Sequence, residues 1–379
     1  MVKPGQIGRG AMAALTVIAC ALTGVVGAGP STAAPVNAPG AVIGVFDRPA
    51  GWRGLENGRS FDYWTRDGQG KAVPTSGALF VPMGTAPKGG WPVVAYDHGT
   101  SGYGTGCGGE SAPDAAPSEF ITRLVRSGYA VAATDYVGLG RFNTGVHPYL
   151  NTSSEATATI DAVRAARTIE PTLSKRWAVM GPSQGGQAAL ATGHRQAYEH
   201  LGLDFRGTVA VDPESDVEKL MPFLGPYIPA IPAPLNKTYG FLLATLAGLR
   251  QTDPRAQVNS YLTPLGRKLV DGVGNGTCGA PNDPTMAFGD VFTKPLGVGP
   301  LPARLNRYMA VPVTGYDAPI LLLLNARDVT VPSPLHAKLV ADFALNRVDY
   351  RVVLGQGSHT EMNAEQWAAF DAFFARAFR

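Results

Sequence analysis

The sequence predicts an α/β fold, in which helices cover both faces of a mostly parallel β-sheet. Short apolar runs recur after residue 90, and near-continuous runs of this kind are typical of strands that are buried on both faces. Helix-like segments separate several of the runs, and strand–helix alternation indicates a parallel sheet. The runs are WPVVAYD (residues 91–97), YAVAATD (129–135), RWAVMG (176–181), GTVAVD (207–212), APILLLL (318–324) and YRVVL (350–354).

Three helices can be placed around these runs. Residues 119–127 end at Gly128, and glycine favours a helix C-terminus because it adopts left-handed backbone angles. Residues 155–168 follow Ser154, a residue type that caps helix N-termini. The last helix has an apolar face at spacings of three and four residues: Trp367, Phe370, Phe374 and Phe378.

Before residue 90 the pattern is different. Residues 59–82 contain two strand-like runs on either side of a polar, glycine-rich turn. This pattern favours antiparallel strands, which we place at one edge of the sheet.

A long segment interrupts the strand–helix alternation. Residues 214–313 are rich in proline, glycine and leucine, and proline at this frequency excludes a central strand. We interpret residues 214–313 as a largely helical cap, inserted before the strand that begins near residue 318. The core is then formed by residues 34–213 and 314–379.

The N-terminal residues have the organisation of a secretory signal peptide. Basic residues precede an apolar run (residues 11–28), and small residues follow it (31–35). We predict cleavage near Ala33, which removes residues 1–33 and leaves an extracellular protein. A membrane anchor and a lipoprotein signal at Cys20 are the alternatives.

Composition and charge exclude several classes of protein. Hydrophobic residues make up 45% of the 379 residues, which is enough for a sizeable core. The formal net charge is only +3, without a run of lysine and arginine, so a nucleic-acid partner is not expected. Histidine and cysteine are sparse and form no metal-binding motif, so no metal or other cofactor is expected. The oligomeric state is left open.

Two cysteines remain once the predicted signal peptide is removed. An even pair in an exported protein indicates a disulfide between Cys107 and Cys278. Two free, buried thiols are the alternative.

Ser183 lies at a predicted strand–helix junction. The segment GPSQG (residues 181–185) matches G-x-S-x-G, and that pattern between a strand and a helix defines a nucleophile elbow. Such a turn lifts the serine side chain above the sheet and needs glycines where strand and helix approach each other. We predict that Ser183 is a nucleophile; a purely structural turn is the alternative.

A serine hydroxyl needs a base, and after an elbow the acid and then the histidine follow in the chain. Among the six histidines, His359 lies directly after the last predicted strand and before the last helix. Asp328 follows the buried run at residues 318–324. We therefore predict a triad of Ser183, Asp328 and His359. Asp328 is preferred, on position, over the other aspartates in this part of the chain: Asp317, Asp342 and Asp349.

An acyl-transfer site also needs two donors for the oxyanion. The backbone N–H of Gln184 is the first, because it follows the nucleophile at the helix N-terminus. The loop after the strand at residues 91–97 supplies the second, and we favour the N–H of Gly99 or Thr100. The side chain of Asp97 is a further option for this position.

A glycine motif suggests a different class of protein. GTGCGG (residues 104–109) fits G-x-G-x-x-G, and Asp135 ends the next strand, as in dinucleotide-binding enzymes. The motif does not join a strand to a helix, since the helix begins only near Glu119. An exported dinucleotide-binding oxidoreductase is therefore the least favoured alternative.

Several of these segments resemble the secretory lipases of yeasts and actinobacteria, a family of the α/β-hydrolase superfamily. DYVGLG (residues 135–140), HPYL (147–150) and the helix that begins SEAT (154–157) resemble the family's segment before the nucleophile. GPSQGGQAAL, RDVTVP and GSH resemble its nucleophile, acid and base loops. The likeness runs from about residue 60 to residue 379, with Asn325 where the family commonly has glycine.

The resemblance implies an α/β-hydrolase fold and a secreted serine hydrolase that cleaves carboxylic esters of small molecules or lipids. A peptidase of the same fold would use the same triad, and a catalytically inactive surface protein is a further alternative. Apolar residues of the cap either line an acyl pocket or build the cap's own core: Met221, Phe223, Leu224, Tyr227, Ile228 and Ile231.

Overall fold

The computed structural model describes residues 36–48, 52–112, 118–199, 201–232, 237–275, 278–279 and 286–379. The predicted signal peptide and Cys20 lie outside these residues. Among the helices in these ranges, none combines the length and the apolar character needed to cross a bilayer.

A sheet of nine strands, counted over the described residues, forms the centre of the fold. Its order is β1-β2-β3-β5-β4-β6-β7-β8-β9. The first three strands and β5 pair antiparallel, and the remaining pairs are parallel. The predicted antiparallel edge and parallel centre are therefore confirmed. The strands are β1 (Val42–Asp47), β2 (Gly58–Arg66), β3 (Ala72–Phe80), β4 (Trp91–Asp97), β5 (Ala130–Thr134), β6 (Leu173–Pro182), β7 (Asp204–Val211), β8 (Ile320–Asn325) and β9 (Tyr350–Gly355).

Helices connect and cover the parallel strands. They are α1 (Glu119–Arg126), α2 (Thr152–Ile169), α3 (Gln184–Gln196), α4 (Val217–Leu220), α5 (Lys237–Thr252), α6 (Pro264–Gly272), α7 (Phe288–Val291), α8 (Leu301–Met309), α9 (Ser333–Leu345) and α10 (Ala364–Ala377). The predicted start of α2 was wrong. Its N-cap is Asn151, whose Oδ1 accepts the N–H of Ser154 at 2.8 Å. Asparagine caps as well as serine does, so composition alone did not decide between them.

Alternate residues of the central strands enter two different cores. On one face, Val93 and Val179 pack with residues of α2 and α3 such as Ile160. On the other face, Val94 and Met180 belong to a cluster that includes residues of α1 and α10. Burial on both faces explains why these strands appear as continuous apolar runs.

The chain between β7 and β8 builds a separate cluster of helices, α4 to α8. No strand is assigned within the described part of residues 214–313. Apolar residues of these helices, such as Tyr239, Leu246 and Phe288, form a buried cluster that also includes Tyr103 and Tyr149 from outside the segment. This segment is where the sequence predicts a helical cap.

A disulfide links this segment to the loop that follows β4. The sulfur atoms of Cys107 and Cys278 are bonded, and the N–H of Gly279 donates to the carbonyl of Ser101 at 2.8 Å. The loop beside the candidate nucleophile is therefore fixed to the inserted segment by a covalent bond and a hydrogen bond.

Candidate active site

Ser183 occupies the junction between β6 and α3. Its backbone angles are φ 56° and ψ −123°, a conformation that non-glycine residues rarely adopt. The serine thus stands on a strained turn between a strand and a helix, as a nucleophile elbow requires.

The glycines on either side permit this turn. A Cβ added to Gly185 would lie 1.9 Å from the carbonyl oxygen of Asp97, and one added to Gly181 would lie 2.2 Å from the carbonyl oxygen of Gly185. Both distances are shorter than any real contact, so β4, β6 and α3 can approach only with glycine at these positions. Close backbone packing therefore accounts for the G-x-S-x-G pattern.

The three side chains predicted as a triad lie in a continuous hydrogen-bonded chain. Nε2 of His359 is 2.8 Å from Oγ of Ser183, and Nδ1 of His359 is 2.6 Å from Oδ2 of Asp328. Asp328 follows β8 and His359 follows β9, so both reach Ser183 from the carboxyl ends of parallel strands. Since a carboxylate accepts, Nδ1 carries the proton and the lone pair of Nε2 faces the serine hydroxyl.

Hydrogen bonds set the charge states of Asp328 and His359. Burial alone would raise the pKa of Asp328, but bonds from His336 and His359 outweigh it and hold the pKa well below its ordinary value. Burial alone would lower the pKa of His359, but the hydrogen bond and charge of Asp328 raise it above its ordinary value. The arrangement therefore favours an ionised acid beside an imidazole that readily takes up a proton.

Four donors surround the carboxylate of Asp328. Its Oδ1 accepts the N–H groups of Thr330 and Val331 at 2.9 and 3.0 Å. Its Oδ2 accepts His359 Nδ1 and also Nε2 of His336, which lies 3.1 Å away. The sequence analysis did not select His336, because a histidine inside a helix after the acid carries no positional signal.

Asp212, at the end of β7, connects the two loops that carry Asp328 and His359. Its Oδ1 accepts the N–H of Asn325 at 2.7 Å. Its Oδ2 accepts Nδ2 of Asn325 and the N–H of Thr360, both at 2.7 Å. The sequence analysis also missed this residue, although its place after a buried strand was a usable signal.

Asn325, the last residue of β8, adds to the same junction. Its Nδ2 also donates to the carbonyl of Glu361 at 2.8 Å, and its Oδ1 accepts the N–H of Gly357 at 3.2 Å. The amide thus holds the loop of His359 against the end of β8.

The predicted oxyanion donors lie beside Ser183. Gln184 is the first residue of α3, where N–H groups have no acceptor within the helix. A Cβ on Gly99 would be 3.6 Å from Cβ of Ser183, so this loop borders Ser183 directly. Thr100 Oγ1 is hydrogen-bonded to the hydroxyl of Tyr149 at 2.9 Å. Asp97 is fully buried and its Oδ1 accepts Thr159 Oγ1 at 2.5 Å, while burial raises its pKa far above the ordinary value.

The side chain of Gln184 is anchored underneath this region. Its Nε2 donates to Oε1 of Glu155 and to Nε2 of His147, both at 2.8 Å. His147 Nδ1 donates in turn to the carbonyl of Val137 at 2.8 Å. Burial raises the pKa of Glu155 to about 8 and lowers that of His147 to about 3, so both are neutral at pH 7. The HPYL and SEAT segments thus hold the side chain of Gln184, the residue after Ser183, a role that the sequence analysis missed.

A further carboxyl group lies close to the triad. The N–H of Glu214 donates to the carbonyl of Ser183 at 3.2 Å. Burial raises the pKa of its side chain to about 7, against the opposing effect of His359. Its ionisation therefore falls in the pH range in which the triad would work.

The glycine motif at residues 104–109 folds over Asp135. Oδ1 of Asp135 accepts the N–H groups of Glu110 and Ser111 at 2.7 and 3.1 Å, and a Cβ on Gly108 would lie 2.4 Å from its Cβ. Cys107 is held in the disulfide, and the carboxylate of Asp135 accepts hydrogen bonds from the backbone that follows the motif. The motif therefore forms a fixed loop, and its neighbouring carboxylate is already hydrogen-bonded.

The apolar residues considered for an acyl pocket divide into two groups. Leu224, Ile228 and Ile231 pack against the apolar cluster of α4 to α8, and Met221 is part of it. Phe223 and Tyr227 are instead exposed, at 72% and 64%. The first group packs in the apolar cluster of the inserted segment, and the second is exposed at its surface.

Comparison with known proteins gives one matching family model and several solved structures of similar fold. Residues 115–221 match the family model described as Secretory lipase. No curated protein matches the sequence. LipA, a rice cell wall degrading esterase from Xanthomonas oryzae, has a TM-score of 0.67 and 22% identity, covering 90% of this chain and 96% of that one. Candida antarctica lipase A in its closed state has a TM-score of 0.70 and 17% identity, covering 90% and 83%.

The sheet topology and these structural matches define the class of the fold: the chain has the α/β-hydrolase fold. The family match spans the strand, serine and helix of the elbow, and it confirms the resemblance to the secretory lipases that the sequence suggests.

Proposed function

We propose that the chain is a secreted serine esterase of the lipase type, which hydrolyses esters through an acyl-enzyme on Ser183. The observation that carries the proposal is the chain of contacts from Ser183 through His359 to Asp328, at 2.8 and 2.6 Å. The strained backbone of Ser183 and the donors beside it add support, because both belong to acyl-transfer sites.

In the first half of the proposed reaction, Nε2 of His359 removes the proton of Ser183 as Oγ attacks the ester carbonyl. The resulting oxyanion is stabilised by the N–H of Gln184 and a donor of the Gly99–Thr100 loop. Asp328 holds the Nδ1–H tautomer and stabilises the imidazolium. His359 then protonates the alcohol oxygen as the carbon–oxygen bond breaks, which leaves an acyl ester on Ser183.

In the second half, His359 removes a proton from water, which attacks the acyl ester. The tetrahedral intermediate collapses, Ser183 regains its proton from His359, and the carboxylic acid leaves. No metal or redox group is needed for either half, since every proton moves between His359, Ser183, water and the leaving alcohol.

Substitution of the nucleophile tests this proposal. We expect Ser183→Ala to fold normally, by circular dichroism, and to lose hydrolysis of p-nitrophenyl butyrate by about 10³-fold or more. A fluorophosphonate probe should label the wild type and not the variant. Normal turnover by Ser183→Ala would refute the assignment, and turnover of the matching p-nitroanilide would favour a peptidase.

Export is part of the same proposal. The charged start, apolar run and small residues at 1–33, the name of the matching family and the disulfide all support it. N-terminal sequencing of the protein from culture medium should begin near Ala34. A protein that keeps residues 1–33 would contradict this part.

For the acyl group we propose Phe223 and Tyr227 as contacts, because their side chains are exposed on the inserted segment. Leu224 and Ile228 would then act indirectly, by supporting that segment from its core. Phe223→Ala should lower kcat/KM for long acyl chains more than for acetate. An equal effect on all chain lengths would argue against this role.

A further inference from the structure

His336, a residue of α9, shares the carboxylate of Asp328 with His359. Its Nε2 lies 3.1 Å from Oδ2 of Asp328, the oxygen that also accepts Nδ1 of His359 at 2.6 Å. Nε2 of His336 is in addition 3.6 Å from Oδ1 of Asp212. The ring is only 2% exposed. Two imidazoles therefore meet one carboxylate oxygen in a buried place.

These contacts indicate which nitrogen of His336 carries the proton. Both oxygens near Nε2 belong to carboxylates, so a hydrogen bond there requires an Nε2–H donor. Nδ1 is buried and has no hydrogen-bond partner among the described residues. A proton on Nδ1 would therefore be an unpaired buried donor, which is costly. The neutral ring with its proton on Nε2 fits the site.

A buried imidazole with one unpaired nitrogen is unfavourable for packing alone. An aliphatic side chain of similar size would fill the same space without burying a polar atom. An aliphatic side chain could provide neither the hydrogen bond to Asp328 nor the weaker attraction to Asp212.

We propose that His336 is a positioning residue, which fixes the carboxylate of Asp328 and weakens the attraction of that carboxylate for the proton on His359. The inference rests on the proposed function, since it concerns the acid of the same triad. Oδ2 divides its acceptor capacity between two N–H groups, so each bond is weaker than it would be alone. Removal of the His336 donor should strengthen the bond from His359 and favour its imidazolium form.

Other titratable groups near the two rings have to be separated from this effect. Asp328 and Asp212 face both imidazoles, and Glu214 also interacts with His359. Because burial raises the pKa of Glu214 to about 7, its ionisation would overlap that of His359 in a pH profile. The profiles are therefore recorded in the wild-type background and again with Glu214→Gln.

Two substitutions of equal length separate the donor from the packing. His336→Gln retains an amide N–H near the position of Nε2, whereas His336→Met retains the volume and loses the donor. We expect His336→Met to lower kcat/KM for p-nitrophenyl butyrate about tenfold and to raise the acidic midpoint by about half a pH unit. His336→Gln should keep the midpoint close to that of the wild type.

A measurement on the wild type does not depend on how the variants fold. Nitrogen-15 NMR of the imidazoles should show His336 as the neutral Nε2–H tautomer at pH 7. An Nδ1–H tautomer would overturn the proposal, and so would a folded His336→Met protein with an unchanged midpoint. Fluorophosphonate labelling in the same preparations keeps the two proposals apart. Unlabelled wild type contradicts the proposed function, whereas labelled wild type with an unchanged midpoint contradicts only the role of His336.

Discussion

Ser183 lies between two buried hydrogen-bond networks that differ in charge. We call the network of His359 and Asp328 the acid–base side, and that of Gln184, Glu155 and Asp97 the oxyanion side. On the acid–base side, Asp328 accepts four hydrogen bonds and stays ionised despite its burial. On the oxyanion side, burial raises the pKa of Glu155 to about 8 and that of Asp97 well above its ordinary value, which favours the neutral form of both carboxyl groups. The difference follows from the number of donors that each carboxyl group receives.

This difference in charge fits ester hydrolysis, which would create a positive charge on His359 and a negative charge on the oxyanion. A fixed negative charge beside His359 stabilises the imidazolium, whereas one beneath Gln184 would oppose the oxyanion. Each side also contains a buried histidine that is not the proposed base. His336 supports the ionised acid, and His147 supports Gln184 as a neutral acceptor. The fold thus places an ionised carboxylate on one side of Ser183 and carboxyl groups with raised pKa values on the other.

The largest expected effect comes from removing the charge on the acid–base side. Asp328→Asn keeps the size of the side chain but presents an amide N–H to His359, which favours the wrong tautomer. We expect kcat for p-nitrophenyl butyrate to fall by about 10⁴-fold with little change in KM. Steady-state kinetics at pH 8 measure both values.

Asp317→Asn is the matched control for this substitution. Asp317 precedes the same strand, at its opposite end, where its carboxylate accepts Nε2 of Gln196 at 2.6 Å. Its substitution should leave kcat nearly unchanged. A loss of less than about tenfold in Asp328→Asn would mean that the charge of Asp328 contributes little.

An intermediate effect is expected from the oxyanion side. Gln184→Met keeps the backbone N–H and the volume but removes the bonds to Glu155 and His147. Removing an oxyanion donor altogether typically costs about 10²–10³-fold, so loosening one should lower kcat by about tenfold. KM should change little, because an oxyanion donor stabilises the transition state more than the bound substrate.

Gln187→Met, one turn further along α3, controls for the loss of a buried amide. Nε2 of Gln187 donates to the carbonyl of Met309 at 2.6 Å, so its substitution also costs a buried hydrogen bond. Both variants should melt at lower temperature, but only Gln184→Met should lose kcat. Equal kinetic losses would show that α3 responds as a whole and that the anchor of Gln184 has no special role.

Some features of the site and the fold could be predicted from the sequence, and others could not. Ser183, Asp328 and His359 were predictable because each follows a recognisable buried strand and the chain order of such triads is fixed. The parallel centre and antiparallel edge were predictable from the change in apolar pattern before and after residue 90.

Among the supporting residues, Asp212 has a positional signal because it follows a buried strand, but the others could not be found in this way. Asp212, His336 and Glu155 act through hydrogen bonds to residues distant in the sequence, and those contacts exist only once the sheet has formed. Likewise, Ser154 and Asn151 are both good helix caps, and only the hydrogen bond in the folded chain distinguishes them. Residue type and spacing identify groups that react, but not the neighbours that set their charge.

The smallest effect at neutral pH is expected from Glu155→Gln, because glutamine reproduces the shape of a neutral carboxyl group and can still accept from Gln184. The difference should appear as pH changes. The pKa of Glu155 rises from 4.5 to about 8 on folding, so between these values the folded protein holds a proton that the unfolded chain has lost. Stability of the wild type therefore falls as pH rises through this window.

Glu155→Gln lacks this titrating group, so its melting temperature should rise relative to that of the wild type from about pH 5 to about pH 8. Below pH 4.5 the melting temperatures of the two proteins should change with pH in the same way. Above pH 8 the wild type should also lose kcat relative to the variant, because the ionised carboxylate opposes the oxyanion above it. Differential scanning calorimetry and kinetics across this range test both statements. Melting curves that shift equally with pH in the two proteins would show that Glu155 is already ionised at neutral pH, and the contrast between the two sides of Ser183 would then be wrong.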